Sequence, residues 1–242
     1  MELKGLKVLA IDTASIVATA AIMDEHKLIG ECILNHDKTH SQKMMPMIQQ
    51  LFESTALTPK EIDVFAAANG PGSFTGLRIG VATIKGFAHA LNKPVVGIST
   101  LDGLAYNLAF CQHIICPIMD ARRQQVYNAL YRCDNHTLRM LTPYRALSIE
   151  ALVEELIQTD EKVIFTGDGV PVFDAYLKEK LQAKCNFAPT AIRMQRASSI
   201  GALAMQKALA GEVDDYMTFA PFYLRKSQAE REYENKLKAL TE

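Results

Sequence analysis

The 242-residue chain is predicted to be an α/β protein of two related lobes, on three observations. An apolar strand ending in aspartate and followed by a second strand occurs twice, at Asp12 and at Asp120. In each half, strands come first and then alternate with helical spacing, a β-β-β-α-β-α order. Finally, the stretch NGPGSFTGLRIG, residues 69–80, joins an apolar run to a long helical pattern. Such strand-loop-helix junctions commonly hold a phosphate in α/β proteins, because helix N–H groups point at the anion. Sequence identity between the halves is slight, so chance likeness of apolar strands is the competing explanation of the repeat.

The N-terminal lobe is expected over residues 1–110. Residues 6–11 form a strand, Thr13-Ala14-Ser15 turn the chain, and 18–23 and 28–34 complete a hairpin succession around the polar turn at 24–27. A helix follows over about 40–54, and Thr58-Pro59 breaks it before a strand at 64–69. Helical spacing over 75–91 leads through Asn92-Lys93-Pro94 to a strand at 95–99, and Ser99 or Thr100 caps a helix reaching about residue 110. The second lobe, 111–220, opens with a strand at 114–119 ending at Asp120, then a strand at 125–132. Ser148 opens a helix to about 158, a strand at 163–166 closes on Gly167-Asp168-Gly169, and helices follow over 170–181 and 198–210. Residues 221–242 carry PFYLR and a polar tail with an apolar stripe of Ala229, Tyr233, Leu237 and Leu240.

Hydrophobic residues make up 49% and charged residues 22%, as in an ordinary globular protein. The net charge of −1 offers no global electrostatic footprint for nucleic acid, so any action on RNA is expected through a partner. Five cysteines, odd in number and without a C-x-x-C pair, argue against a disulfide framework or structural zinc and for a reducing compartment. The first residues enter a strand pattern directly and no apolar run approaches a bilayer span; the expectation is a soluble cytoplasmic chain without a membrane partner.

The glycine-rich junction fails the nucleotide signatures it invites. Gly76 is followed by Leu77 and Arg78, so the lysine and hydroxyl of a phosphate-binding loop are missing. Gly70 and Gly72 fit a dinucleotide fingerprint, but Thr75 takes the third glycine position. Gly70 to Gly72 turning the chain, with Ser73 or Thr75 as cap, is the plainer reading. The six histidines, His136 included, contain no metal-binding pair, and G-x-S-x-G is absent, so no catalytic residue, metal or cofactor is expected. Asp12 and Asp120 either hold a metal-bound water in a cleft or simply form strand-end turns.

Two helices suggest a partner surface. Gly76, Gly80 and Thr83 share a face, and small residues at that spacing admit another backbone. On the earlier helix, Met44, Met47 and Leu51 make one stripe and Met45, Ile48 and Phe52 an adjacent one, together wider than a single core contact needs. Internal packing is the alternative for both.

Six segments resemble the TsaB family of tRNA threonylcarbamoyladenosine biosynthesis proteins: IDTAS, HSQKMMPMI, NGPGSFTGLRIG, KGFAHALNKPVVGISTLDGLA, MDARRQQVY and PFYLR. The resemblance covers nearly all of the first 130 residues and then thins to GDG and PFYLR. It implies an actin-like (ribonuclease H-like) two-lobe fold, each lobe a five-stranded mixed sheet with flanking helices. It also implies a non-catalytic paralogue of the TsaD transferase: the segment 98–104 lacks the histidine pair that binds metal there. Side chains crowd the places where glycine-rich turns would approach ATP, leaving a vestigial cleft at Asp12, Thr13, Asp120, Gly167 and Gly169.

Further implied are a heterodimer with TsaD through the two N-lobe helices, cooperation with the TsaE ATPase, and tRNA bound only via the complex. The product is threonylcarbamoyl on N6 of the adenosine 3′ of the anticodon in ANN-decoding tRNAs. In isolation the same face is expected to form a homodimer. The interface set is Met44, Met47, Ile48, Leu51, Gly76, Arg78, Gly80 and Thr83; a bulky residue at Gly80 or a charge at Met47 is expected to abolish association without unfolding. The competing functions are an actin-like ATPase or kinase using Asp12 and Asp120, and a glycoprotease-like peptidase using Ser73 or Thr75.

Overall fold

The computed structural model describes residues 5–36, 40–134 and 137–225, so the tail stripe from Ala229 to Leu240, Lys226 and His136 lie outside the described residues. The first sheet holds β1 (Lys7–Asp12), β2 (Ala18–Asp24), β3 (Leu28–Leu34), β4 (Val64–Gly70) and β5 (Val95–Ser99), in the order β3-β2-β1-β4-β5. β1 to β3 pair antiparallel, while β4 and β5 join in parallel through crossover helices. Helices α1 (His40–Thr55) and α2 (Phe74–Leu91) cover one face; α3 (Thr100–Tyr106) lies on the other.

The second sheet repeats this topology. β6 (Ile114–Asp120), β7 (Gln125–Asn128), β10 (Arg145–Ser148), β11 (Val163–Thr166) and β12 (Cys185–Phe187) run β10-β7-β6-β11-β12, with the same antiparallel and parallel pairings. Helices α4 (Ile149–Ile157) and α5 (Val170–Leu181) accompany this sheet, and α6 (Ala197–Leu209) follows them in sequence. The expected strand at 125–132 is broken at Ala129 and Leu130, where β8 (Tyr131–Asp134) departs to pair with β9 (Thr137–Met140), so this sheet has seven strands rather than five. The third helix stops at Tyr106 rather than near residue 110.

Local chemistry accounts for the element ends. Ser73, Ser99 and Ser148 each cap a helix, accepting from the N–H groups of Gly76, Leu101 and Ala151 at 3.3, 3.3 and 3.1 Å. Asn92 closes α2 in the left-handed region at φ 50, a conformation asparagine tolerates.

Strand alternation divides the core. Leu9 and Ile11 of β1 face α1 and α2, while Val8 and Ala10 face α3 and α6. The second of these clusters also takes in Ile115, Met119 and Tyr131 of the other lobe, so one continuous core joins the two. Ala10, Ala21, Ala66 and Ala68 keep that face low, and α6 packs down on it with Ile200 and Ala204. Asp214 then pairs with the edge of β5 at Val95. Residues 197–219 therefore follow the second lobe in sequence but pack on the first, and the expected unit at 111–220 is not continuous in space.

Candidate functional site

The helix face expected to meet a partner is turned inward. Met44, Met47, Ile48 and Leu51 are at most 6% exposed and pack in the lobe's own core with Leu9, Ile11 and Phe65. α1 lies against the sheet and α2, where Phe52 meets Phe87 at 6.5 Å, so both stripes apart from Met45 are buried within one chain. Gly76 and Gly80 also make room for a neighbour inside the lobe. A Cβ on Gly76 would collide with the Thr13 carbonyl, and one on Gly80 would come within 2.5 Å of Thr13 Oγ1. A charge at Met47 or bulk at Gly80 therefore disrupts the lobe itself, contrary to expectation.

Outward-facing residues lie between these. Met45 is 51% exposed on α1, and Ala82, Gly86 and Ala90 are exposed at four-residue spacing on α2. Among the described residues, a Cβ on Gly86 would meet nothing within 4 Å. Thr83 is half-buried and donates to the Ile79 carbonyl at 2.8 Å. Arg78 is exposed, its Nε donating to Tyr223 Oη at 3.1 Å and its guanidinium lying 5.0 Å from the Phe74 ring centre. The 3.6-residue period was readable in the sequence; which stripe faced the sheet depended on contacts distant along the chain.

The residues expected to form a vestigial cleft lie at the junction between the lobes. Asp12 is fully buried, and its Oδ1 accepts the Ala14 N–H at 2.8 Å, closing a tight turn. Thr13 Oγ1 donates to the Gly76 carbonyl at 2.7 Å and Ser73 N–H to the Ala14 carbonyl at 2.7 Å. The start of α2 thus sits on the turn after Asp12. Ser15 Oγ donates to Gln195 Oε1 at 2.7 Å, a link 180 residues apart that nothing in the sequence signalled.

On the other side, Asp120 N–H donates to Asp168 Oδ1 at 3.2 Å, and Gly167 and Gly169 pack against the Ile118 carbonyl. Burial pushes the Asp12 carboxyl up to about 7, against the lowering effect of the Ala14 N–H and with a smaller push from Asp168. Burial likewise raises Asp168 to about 6. Asp168, placed by the GDG turn, thus shares with Asp12 a carboxyl raised by burial.

PFYLR spans the mouth of this junction. Phe222 N–H donates to the Asn69 carbonyl at 2.6 Å, and Tyr223 stacks on Phe74 with centres 3.9 Å apart. Phe222 also meets Tyr144 of the second lobe at 6.1 Å, and Arg225 Nη1 donates to the Ala121 carbonyl at 2.9 Å. A Cβ on Gly70 would strike the Phe222 carbonyl, which explains glycine at that position. Tyr144 Oη further donates to Asp102 Oδ2 and Tyr131 Oη to Asp102 Oδ1, both at 2.7 Å, binding α3 to the second lobe.

A family model for TsaD, tRNA N6-adenosine threonylcarbamoyltransferase, matches residues 27–233. The Bacillus subtilis tRNA threonylcarbamoyladenosine biosynthesis protein TsaB is 32% identical over 228 residues, covering 94% of this chain and 98% of that one. The Haemophilus influenzae protein of the same name is 25% identical over 236 residues, covering 92% and 95%. Among solved structures, YeaZ from Pseudomonas aeruginosa is similar with a TM-score of 0.76 at 24% identity, over 90% of this chain and 100% of that one; it supports the fold alone. With a repeated lobe topology and full-length similarity of this kind, the chain belongs to the TsaB family, within the wider family that the TsaD model describes, and has its actin-like two-lobe fold.

Proposed function

We propose that the chain is a non-catalytic subunit in tRNA threonylcarbamoyladenosine biosynthesis, binding a TsaD transferase and holding it in its working conformation. The observation that carries this reading is the outward strip of Ala82, Gly86 and Ala90 on α2, with Met45 also exposed on α1. Small side chains let a partner helix approach closely, and Gly86 in mid-helix meets no packing neighbour among the described residues. The interface therefore moves from the buried residues expected at first to this strip, with Arg78 and Thr83 at its margin. Alone, the chain pairs with a second copy through the same strip. The filled turn after Asp12 supports the non-catalytic part of the reading. By population shift, a subunit that binds only the competent transferase raises its occupancy. The work is placed in the cytoplasm, with the TsaE ATPase as a further partner and tRNA reached through the assembly; the free thiols of all five cysteines suit that compartment.

The test replaces Gly86 with tryptophan. The lone chain keeps its melting temperature or gains slightly, since glycine inside a helix costs about 0.5–1 kcal/mol. Association with the transferase and tRNA modification in a reconstituted assay are lost. Undiminished co-purification would remove the strip as the interface, and modification that proceeds without this chain would remove the subunit role.

A further inference from the structure

The turn joining β6 to β7 holds a backbone shape that its residue types resist. Arg122, Arg123 and Gln124 have φ of 63, 56 and 57, three successive side-chain-bearing residues in the left-handed region. Each such residue costs roughly 1–2 kcal/mol, a penalty glycine escapes. The shape is over-determined by its bonds. Asp120 Oδ1 accepts the Arg122 N–H at 2.8 Å, Ala121 N–H donates to the Gln125 carbonyl at 2.9 Å, and Ile149 N–H to the Gln124 carbonyl at 2.9 Å. Strain kept this firmly is a pointer to a role for the side chains it presents.

Those side chains are guanidiniums. Arg122 is 87% exposed and touches Asp120 Oδ2 at 3.2 Å on its inner side. Arg123 is exposed and makes no hydrogen bond or ion pair among the described residues. Arg225 rests on the Ala121 carbonyl, bringing a third guanidinium to the base of the same turn. The near-neutral total of −1 thus conceals a local cationic knuckle beside the lobe junction.

We propose that this knuckle, Arg122 and Arg123 with Arg225 behind them, contacts the phosphate backbone of the RNA substrate in the assembled complex. Two physical points select a polyanion over a small anion. Arg122 and Arg123 project into solvent among the described residues, so one small ion gains little there. A nucleic acid releases condensed counterions for each phosphate neutralised, which works well at exposed charges, and a guanidinium fork fits phosphate oxygens in pairs. This rests on the tRNA-modification reading above and adds to it a direct contact from this chain.

The experiment measures the KM for tRNA of the reconstituted complex over a series of salt concentrations. The double variant Arg122→Gly, Arg123→Gly is suited to it, because glycine relieves the left-handed strain and preserves the fold. Complex assembly is expected to stay intact while the KM rises several-fold and the log–log salt slope falls by about two, one per lost phosphate contact. Arg122→Lys with Arg123→Lys restores most of the slope by keeping the charge. A glycine variant with the wild-type KM and slope overturns the proposal and leaves the subunit role standing. The same holds for one that loses affinity only for a protein partner, which reassigns the knuckle to an acidic protein surface. If the wild-type chain neither assembles nor supports modification, both readings fall.

Discussion

The turns after Asp12 and after Asp120 occupy equivalent places in the two sheets, and they are built in opposite ways. Each aspartate accepts an N–H two residues on, at 2.8 Å, so the chain leaves the strand by the same local bond. After Asp12, the small residues Thr13, Ala14 and Ser15 are buried and the start of α2 is packed on them. After Asp120, large cationic residues stand out in solvent on a strained backbone. One turn has become core, and the other has become surface. A duplicated topology therefore preserves the path of the chain without preserving what its turns do.

The comparison is most severely tested on the buried side. Met47→Asp places an uncompensated charge in the core behind the first turn and is expected to destabilise the chain by about 4 kcal/mol or more, read as loss of soluble protein or a collapse in melting temperature. A soluble variant that melts like the wild type would reopen α1 as a partner surface.

Gly80→Leu comes next. Its side chain must displace Thr13, at a cost of about 1–3 kcal/mol, seen in denaturant unfolding; an unchanged midpoint would mean that the turn yields freely.

Asp12→Asn acts in the other direction. Folding raises the Asp12 pKa from 3.8 to about 7, so the folded chain holds that proton more tightly than the unfolded one. This contribution is intact below pH 3.8 and is lost as pH climbs through about 7. Asparagine keeps the acceptor for Ala14 and carries no charge at any pH. The variant should be more stable than wild type by on the order of 4 kcal/mol at pH 8, with the difference vanishing near pH 4. A pH-independent gain would show that burial of this carboxyl is not its cause.

The smallest effect is expected at the exposed turn. Gln124→Gly removes one left-handed side chain while keeping the carbonyl that accepts Ile149 N–H, and should stabilise by about 1 kcal/mol. Ala14→Gly, in the buried turn, should instead destabilise, since Ala14 fills core space. If both variants shift stability in the same direction, the contrast between the two turns is lost.

Much of this was legible in advance for local reasons. Strands β1 to β6 follow from apolar runs bounded by polar turns, and Ser73, Ser99 and Ser148 mark helix starts through their own hydroxyls. β9 and β12 were not legible, because they are short segments whose burial comes from neighbours rather than from their own pattern. The candidate site was half legible. IDTAS, the GDG turn and PFYLR stood out as motifs, yet the hydrogen bonds of Ser15 to Gln195 and of Phe222 to Asn69 join residues 180 and 153 apart.

The sequence by itself determined the α/β class, the elements of the first lobe and the family, since these rest on periodicity, capping chemistry and motif spacing. Only the tertiary structure decided which faces point inward. An amphipathic period states that a helix has an apolar stripe, but burial is a property of the space around the helix. The methionines of α1 and the glycines at the start of α2 found that space already filled by their own lobe, leaving Gly86 and the arginine knuckle facing out.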